Sequence, residues 1–323
     1  MKIVTVIGGG TGTFVVLSGL KKYPIDLGAI VTMMDSGGST GRLRDQLGVL
    51  PPGDLRQCLV ALSEAPILWR KLFLYRFESG DFAGHNFGNL FLSALEKVSS
   101  NYDEVMNTAA YVLKTKGKVI PVTFDKTHLC VEYEGGKTVV GEHNIEENIH
   151  ESTPIKKAYL SPPAKPNNGA INRLKESDTV IIGPGDLYTS IIPVLLVNKV
   201  KETLQNTKAK IIFIMNLMTK SGQTNNYKAS NHVCDLSKYL GKEPQVVILN
   251  SGKILPEILQ WYKDNNEKVV ENDLVNDGYK GQIIVGDLID SHRIEKAFAD
   301  KLTRSILRHD STKLASVLKN LIL

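Results

Sequence analysis

The chain has 323 residues and is 42% hydrophobic, enough for a core that hides about 75% of the unfolded surface. Its 39 basic and 34 acidic residues leave a net charge of +5; an excess so small and scattered excludes the concentrated basic face of a nucleic-acid binder and suits an anionic small ligand. The three cysteines, Cys58, Cys130 and Cys234, lie far apart, which excludes metal or redox pairs and a disulfide framework and points to the reducing cytoplasm.

Residues 2–7 (KIVTVI) predict a first strand that runs into Gly8-Gly9-Gly10. A signal peptide would need a longer apolar stretch and a cleavage site. No run approaches the roughly 20 apolar residues of a membrane span. A helical pattern over 14–22 leads to a second strand, 27–34 (LGAIVTMM), which ends in Asp35-Ser36-Gly37-Gly38. Helical spacing recurs over 55–65, 89–97 and 105–113. Residues 118–148 break the rhythm: VIPVTF, HLCVEY and KTVVGEH are rich in β-formers, with Glu134-Gly135-Gly136 between the last two. That pattern predicts a hairpin within an antiparallel insertion or sheet edge around 118–150. Residues 161–172 (SPPAKPNNGAIN) predict a loop. Strands follow at 178–182 (DTVII), 210–215 (KIIFIM) and 245–249 (QVVIL), each ending in Gly or Asn.

Continuous apolar runs fit strands covered on both faces, and their alternation with helices implies βαβ units. The expected fold is α/β, a Rossmann-like, doubly wound, mostly parallel sheet with a small antiparallel β insertion. A single domain over residues 1–323 accommodates it.

Five polar, glycine-rich loops fall at predicted strand ends. The first holds Gly9, Gly10, Thr11, Gly12 and Thr13 between a strand and a helix. This context suits phosphate or ribose, because glycines admit a close approach and the helix N-terminus offers free N–H groups; a bare tight turn is the alternative. The glycine spacing departs from the dinucleotide fingerprint, and no Gly-Lys-Ser/Thr makes it a P-loop. The second loop places Asp35 where dinucleotide folds keep a ribose-binding acid. Ser39 and Thr40 add hydroxyls there, and Arg42 and Arg44 are spaced to clamp an anion. In the third, Asp54 reads equally as a helix cap and Arg56 as a residue of the cleft. The fourth brings Asn86 and Asn89 as hydrogen-bonding groups and His85, more often structural than catalytic. The fifth holds Gly185 and Asp186, and residues 216–219 (NLMT) add a further wall. Ends of parallel strands line one crevice, so these loops should converge. The seven histidines form no tight pair, so no metal site is predicted; Mg²⁺ on Asp35 or Asp54 plus ligand phosphates remains open. No G-x-S-x-G elbow signals a catalytic triad.

GGGTGT, DSGGSTGRLR, PPGDLRQCL, GHNFGNL, IGPGDLYTSI, NLMTKSGQT and a late LRHD (residues 307–310) occur in order along the whole chain. Together they resemble the YvcK, or gluconeogenesis factor, family of the CofD-like superfamily. The resemblance implies a binder of UDP-sugars such as UDP-N-acetylglucosamine, with a role in cell shape and wall-precursor balance during gluconeogenic growth. It also implies a homodimer, with the regulatory protein partner unknown. It raises Tyr262 as a stacking partner for uracil and Arg308 as a partner for pyrophosphate. Enzymes of the CofD branch instead transfer a phospholactyl group from a guanylyl diphosphate donor with Mg²⁺, and their second loop resembles Asn-x-x-Asp-Asp. Asp35-Ser36-Gly37-Gly38 lacks that acidic pair, which favours a binder over the transferase. An NAD-dependent dehydrogenase fits Asp35 but not the glycine spacing.

Overall fold

The computed structural model describes residues 1–290 and 305–323. In chain order the strands are β1 (Ile3–Gly8), β2 (Asp26–Val31), β3 (Lys118–Pro121), β4 (His128–Tyr133), β5 (Thr138–Val140), β6 (Ile155–Ser161), β7 (Thr179–Ile182), β8 (Lys210–Ile214), β9 (Val246–Asn250) and β10 (Gln282–Gly286). Seven of them form one sheet in the order β10-β9-β8-β7-β1-β2-β3, and every pairing in it is parallel. The expected α/β architecture is therefore observed. The central strands are buried along almost their whole length, as their unbroken apolar runs require.

Right-handed crossovers put helices on both faces of such a sheet. The early helices are α1 (Gly10–Leu20), α2 (Gly38–Leu47), α3 (Gly53–Leu62), α4 (Ile67–Leu74), α5 (Phe87–Val98) and α6 (Tyr102–Leu113). The later ones are α7 (Glu142–Glu147), α8 (Asn168–Glu176), α9 (Ile192–Leu195), α10 (Val200–Asn206), α11 (Ala229–Leu240), α12 (Pro256–Asp264) and α13 (Ser311–Ile322). One layer packs α1 against α3 and α13; the other packs α8 against α10 and α10 against α11. A buried arginine ties the second layer to the sheet. Arg173 of α8 donates to Thr5 Oγ1 (3.0 Å), the Val4 carbonyl (3.1 Å) and the Asp26 carboxylate (2.9 Å). Gly28 on β2 leaves the room its guanidinium fills.

Two boundaries differ from the expectation. The run at 118–121 joins the main sheet as its edge, parallel to β2. The antiparallel sheet, ordered β5-β4-β6, thus spans 128–161 rather than 118–150. Its hairpin turns at Gly135 and Gly136, where Gly136 takes φ +83°, the left-handed region glycine tolerates. The loop expected over 161–172 ends early, because Asn167 caps α8 by accepting from the Gly169 N–H (2.8 Å).

Candidate functional site

Chain connections leave β1 and β7 in opposite directions, so the crevice between their carboxyl ends is the switch point of the sheet. A cavity of about 230 Å³ opens there. Gly9, Gly10, Thr11 and Gly12 form its floor. Gly9 caps α1 with no side-chain hydrogen bond, so the first N–H groups of α1 meet no capping side chain. Gly12 has no alternative, since a Cβ there would collide with the Pro184 carbonyl of the loop after β7. Thr13 turns away from the cavity: it is fully buried, and its hydroxyl donates to the Gly9 carbonyl (3.3 Å).

Asp35, Gly185 and Asp186 also line the cavity, as do Asn216, Leu217, Met218 and Thr219. Asp35 Oδ1 accepts from the Gly37 N–H (2.9 Å). Asp186 precedes a single π-helical turn, Leu187–Ile191, but makes no capping bond with its side chain. Asp54 lies in the first turn of α3, whose cap is Pro52 without a side-chain bond. A Cβ on Gly9 would fall on the Asp54 carboxylate, so Asp54 belongs to the cavity rather than to a helix cap.

The remaining polar residues of the second and fourth loops form a separate buried network. Ser39 Oγ pairs with His85 Nδ1 (3.1 Å), and Asn89 donates to Ser39 Oγ (3.3 Å) and Thr40 Oγ1 (3.4 Å). Asn89 also accepts from Arg56 (2.8 Å). Asn86 caps α5 through the Gly88 N–H (2.9 Å). Burial, then Arg42 and Arg76, lowers the His85 pKa below its usual range. Arg42 donates to the Ala83 carbonyl (3.1 Å) and Arg44 to the Thr127 carbonyl (3.3 Å). Neither arginine lines the cavity; both fasten neighbouring loops.

Several cavity residues were not expected. Helix α7, carried by the antiparallel sheet, brings Glu142 and Glu146 to the wall. It is tethered by the Ser36 N–H to Glu142 Oε2 (3.1 Å) and by the His143 N–H to Ser36 Oγ (2.9 Å). Burial, then Glu146 and Asp35, pushes the Glu142 pKa well above the carboxylate range. Burial and Asp186 raise Glu146 to about 7. Lys220 pairs with Glu267 at 3.5 Å. Burial works against its charge, but Asp186, Glu267 and Glu146 together hold its pKa above the usual value. Two acids at i and i+4 of one short helix repel each other, but residues 142–147 lie within the expected β insertion, so no helical spacing pointed to Glu142 and Glu146.

The C-terminal wall holds Tyr262, Leu307, Arg308 and His309. Tyr262 is 1% exposed and packs with Leu217, Met218, Ile258, Ile289 and Leu307. Its hydroxyl accepts from the Leu307 N–H (3.1 Å), which anchors the segment that presents Arg308. So little open ring suits anchoring better than stacking.

Among the described residues, six carboxyl side chains and two basic ones, Lys220 and Arg308, thus line one cavity with an uncapped helix N-terminus. The basic groups and N–H donors suit phosphate, and the carboxylates suit hydroxyl donors. No three His, Cys, Asp or Glu side chains among the described residues are grouped to hold a metal. No helix among them is long and apolar enough to cross a membrane.

A seven-stranded parallel sheet with helices on both faces and a cavity at its switch point defines the class, a doubly wound α/β fold, and sequence comparison gives the family. The family described as 2-phospho-L-lactate transferase CofD matches residues 4–288, and the chain belongs to it. Within it, the relatives are gluconeogenesis factors. The chain is 37% identical to the gluconeogenesis factor of Bacillus subtilis (strain 168) over 99% of this chain and 98% of that one. It is 39% identical to that of Listeria monocytogenes over 93% and 94%. A crystal structure of a UPF0052-family protein from Bacillus halodurans superposes with a TM-score of 0.88 at 32% identity, covering 98% of this chain and 99% of that one.

Proposed function

We propose that this chain is a UDP-sugar-binding regulatory protein of the cytoplasm, with a ligand like UDP-N-acetylglucosamine in the switch-point cavity. In this reading it supports cell shape and wall-precursor balance during gluconeogenic growth. The observation that carries the proposal is the meeting, in one cavity, of phosphate-binding and hydroxyl-binding chemistry. The α1 N-terminus and Arg308 receive the diphosphate; Glu142, Glu146 and Glu267 accept hydrogen bonds from the sugar. Three free thiols agree with a reducing compartment. A thermal-shift panel with UDP-N-acetylglucosamine, GDP and NAD tests the reading. A ligand at 100 times its Kd adds about 2.7 kcal/mol, so a shift with the UDP-sugar is expected; a shift with GDP alone overturns it.

One observation favours a second reading, the CofD-like transferase. The acidic pair absent from the second loop is supplied in space by Asp35 and Asp54, which come from different loops and both raise the Glu142 pKa. These carboxylates fit a Mg²⁺ that keeps waters and shares ligand phosphates, not an all-protein cage. Bound there, Mg²⁺ would neutralise diphosphate charge, while Asp35 and Asp54 hold it against the glycine floor. Release of GMP from a guanylyl phospholactate donor, in the presence of acceptor and Mg²⁺, decides for this reading.

We assign the exposed face of α4 to a second copy of the chain. Ile67, Leu68, Trp69 and Leu74 of α4 are exposed, Leu68 to 75%, as are Tyr75 and Phe82 in the segment that follows it. So concentrated an apolar patch marks an interface. Exposed Lys71 lies beside it with exposed Glu64, Glu78 and Asp81, and charges of both signs on one patch suit self-pairing about a twofold axis.

A further inference from the structure

Helices α1 and α3 pack side by side, and their first turns meet at the cavity. Gly9 caps α1, and a Cβ there would fall on the carboxylate of Asp54 in the first turn of α3. Gly53 opens α3 in equally close quarters, since a Cβ there would strike the Asp35 carboxylate and the Thr40 hydroxyl. Both helix starts are therefore fixed in place. Thr11 and Val15, four residues apart on α1, line the cavity from one side; Asp54 and Gln57, three apart on α3, line it from the other. Those spacings put each pair on one face of its helix.

Two polar side chains of this stretch have no task in the fold. Thr11 and Gln57 are half-buried. Among the described residues neither the Thr11 hydroxyl nor the Gln57 carboxamide meets a hydrogen-bond partner. Both keep a surface open to the cavity, unlike the carboxamide of Gln223, which is enclosed without a partner. Val15, 8% exposed, adds an apolar contact beside them.

The carboxylate wall of α7 serves sugar hydroxyls, because an ionised carboxylate only accepts hydrogen bonds. A carboxamide also donates, and a hydroxyl does either. A trans amide points its N–H and its carbonyl in opposite directions, so it fits between two such groups that stand on opposite sides. On an N-acetylated sugar that amide sits on the carbon next to the anomeric phosphate. A diphosphate held by the α1 N-terminus brings it beside Thr11, in the first turn of that helix.

We propose that Gln57 and Thr11 select an N-acetylated sugar: the Gln57 carboxamide donates to the acetamido carbonyl, the Thr11 hydroxyl accepts from the acetamido N–H, and Val15 meets the acetyl methyl. This rests on the UDP-sugar reading and goes beyond it by naming the residues that choose the sugar. A parent sugar with a hydroxyl at that carbon makes fewer of these bonds and offers Val15 no methyl.

The test is calorimetric titration of the full chain with UDP-N-acetylglucosamine and with UDP-glucose. Wild-type protein should prefer the N-acetylated ligand by roughly tenfold, the worth of two hydrogen bonds. Gln57→Met keeps the length of the side chain and suits a helix; it should cut that preference about fivefold. Thr11→Val, similar in shape, should cut it by about as much. Reading the ratio of two affinities on one protein separates selection from any general loss of binding. Equal wild-type affinity for the two ligands overturns the inference and leaves the UDP-sugar reading intact, as does a preference that survives undiminished in either variant. Failure of both ligands to bind wild-type protein overturns the inference and the reading together.

Discussion

Glu146→Gln gives a direct test of the electrostatics of the cavity. Folding raises the Glu146 pKa from 4.5 to about 7, chiefly through burial and then through Asp186. Between those values the folded protein holds a proton that the unfolded chain has released. Stability therefore falls as pH rises through this window and levels off above the folded pKa. Each pK unit is worth about 1.4 kcal/mol. Because water reaches the cavity wall, a loss on the order of 2 kcal/mol between pH 5 and pH 8 is expected rather than the full product. Glutamine carries no charge, so its stability should fall less over the same range, leaving the variant more stable than wild type at pH 8. Glu142 titrates in the same direction and retains part of the slope in the variant. Urea unfolding at pH 5, 6, 7 and 8 reads the difference between the two curves. Curves that run parallel would show that Glu146 is ionised at neutral pH and refute the reasoning.

Other outcomes follow from the same geometry. Arg308→Ala should weaken UDP-sugar binding by about 1.5–3 kcal/mol, the worth of a charge-assisted bond; calorimetry giving wild-type affinity would place the diphosphate elsewhere. Gly12→Ala drives a methyl into the Pro184 carbonyl, so the two loops must separate at a cost of about 1–3 kcal/mol, seen as a lower urea midpoint together with weaker ligand binding. An unchanged midpoint would contradict the close approach. Leu68→Glu on the α4 face should convert a dimer into a monomer in light scattering, with the unfolding midpoint of the variant monomer close to that of dissociated wild type. A wild-type monomer at micromolar concentration would remove the second copy.

The sheet was legible because its central strands are buried on both faces and read as unbroken apolar runs, from IVTVIG in β1 to KIIFI in β8. β10 escaped notice: QIIVG lies at the sheet edge and is only partly buried, so its pattern is short and mixed. The glycine floor, Asp35, Gly185 and Asp186 were legible because strand ends at a switch point must converge. Ser39, Thr40, Arg42, Arg44, Asn86 and Asn89 satisfy one another or nearby carbonyls instead. Polarity at a strand end does not reveal which way a helix turns its side chains. Glu142, Glu146, Lys220 and Glu267 were hidden for the opposite reason. They belong to segments distant in sequence, and only tertiary contacts such as Ser36 with α7 bring them to the cavity.

The central claim is that the switch-point cavity holds a UDP-sugar without consuming it. The direct measurement is calorimetric titration of the pure protein with UDP-N-acetylglucosamine, with the ligand then recovered and chromatographed. Saturable binding with the ligand recovered intact is the predicted result. No heat with the UDP-sugar, or loss of the ligand during incubation, would contradict it.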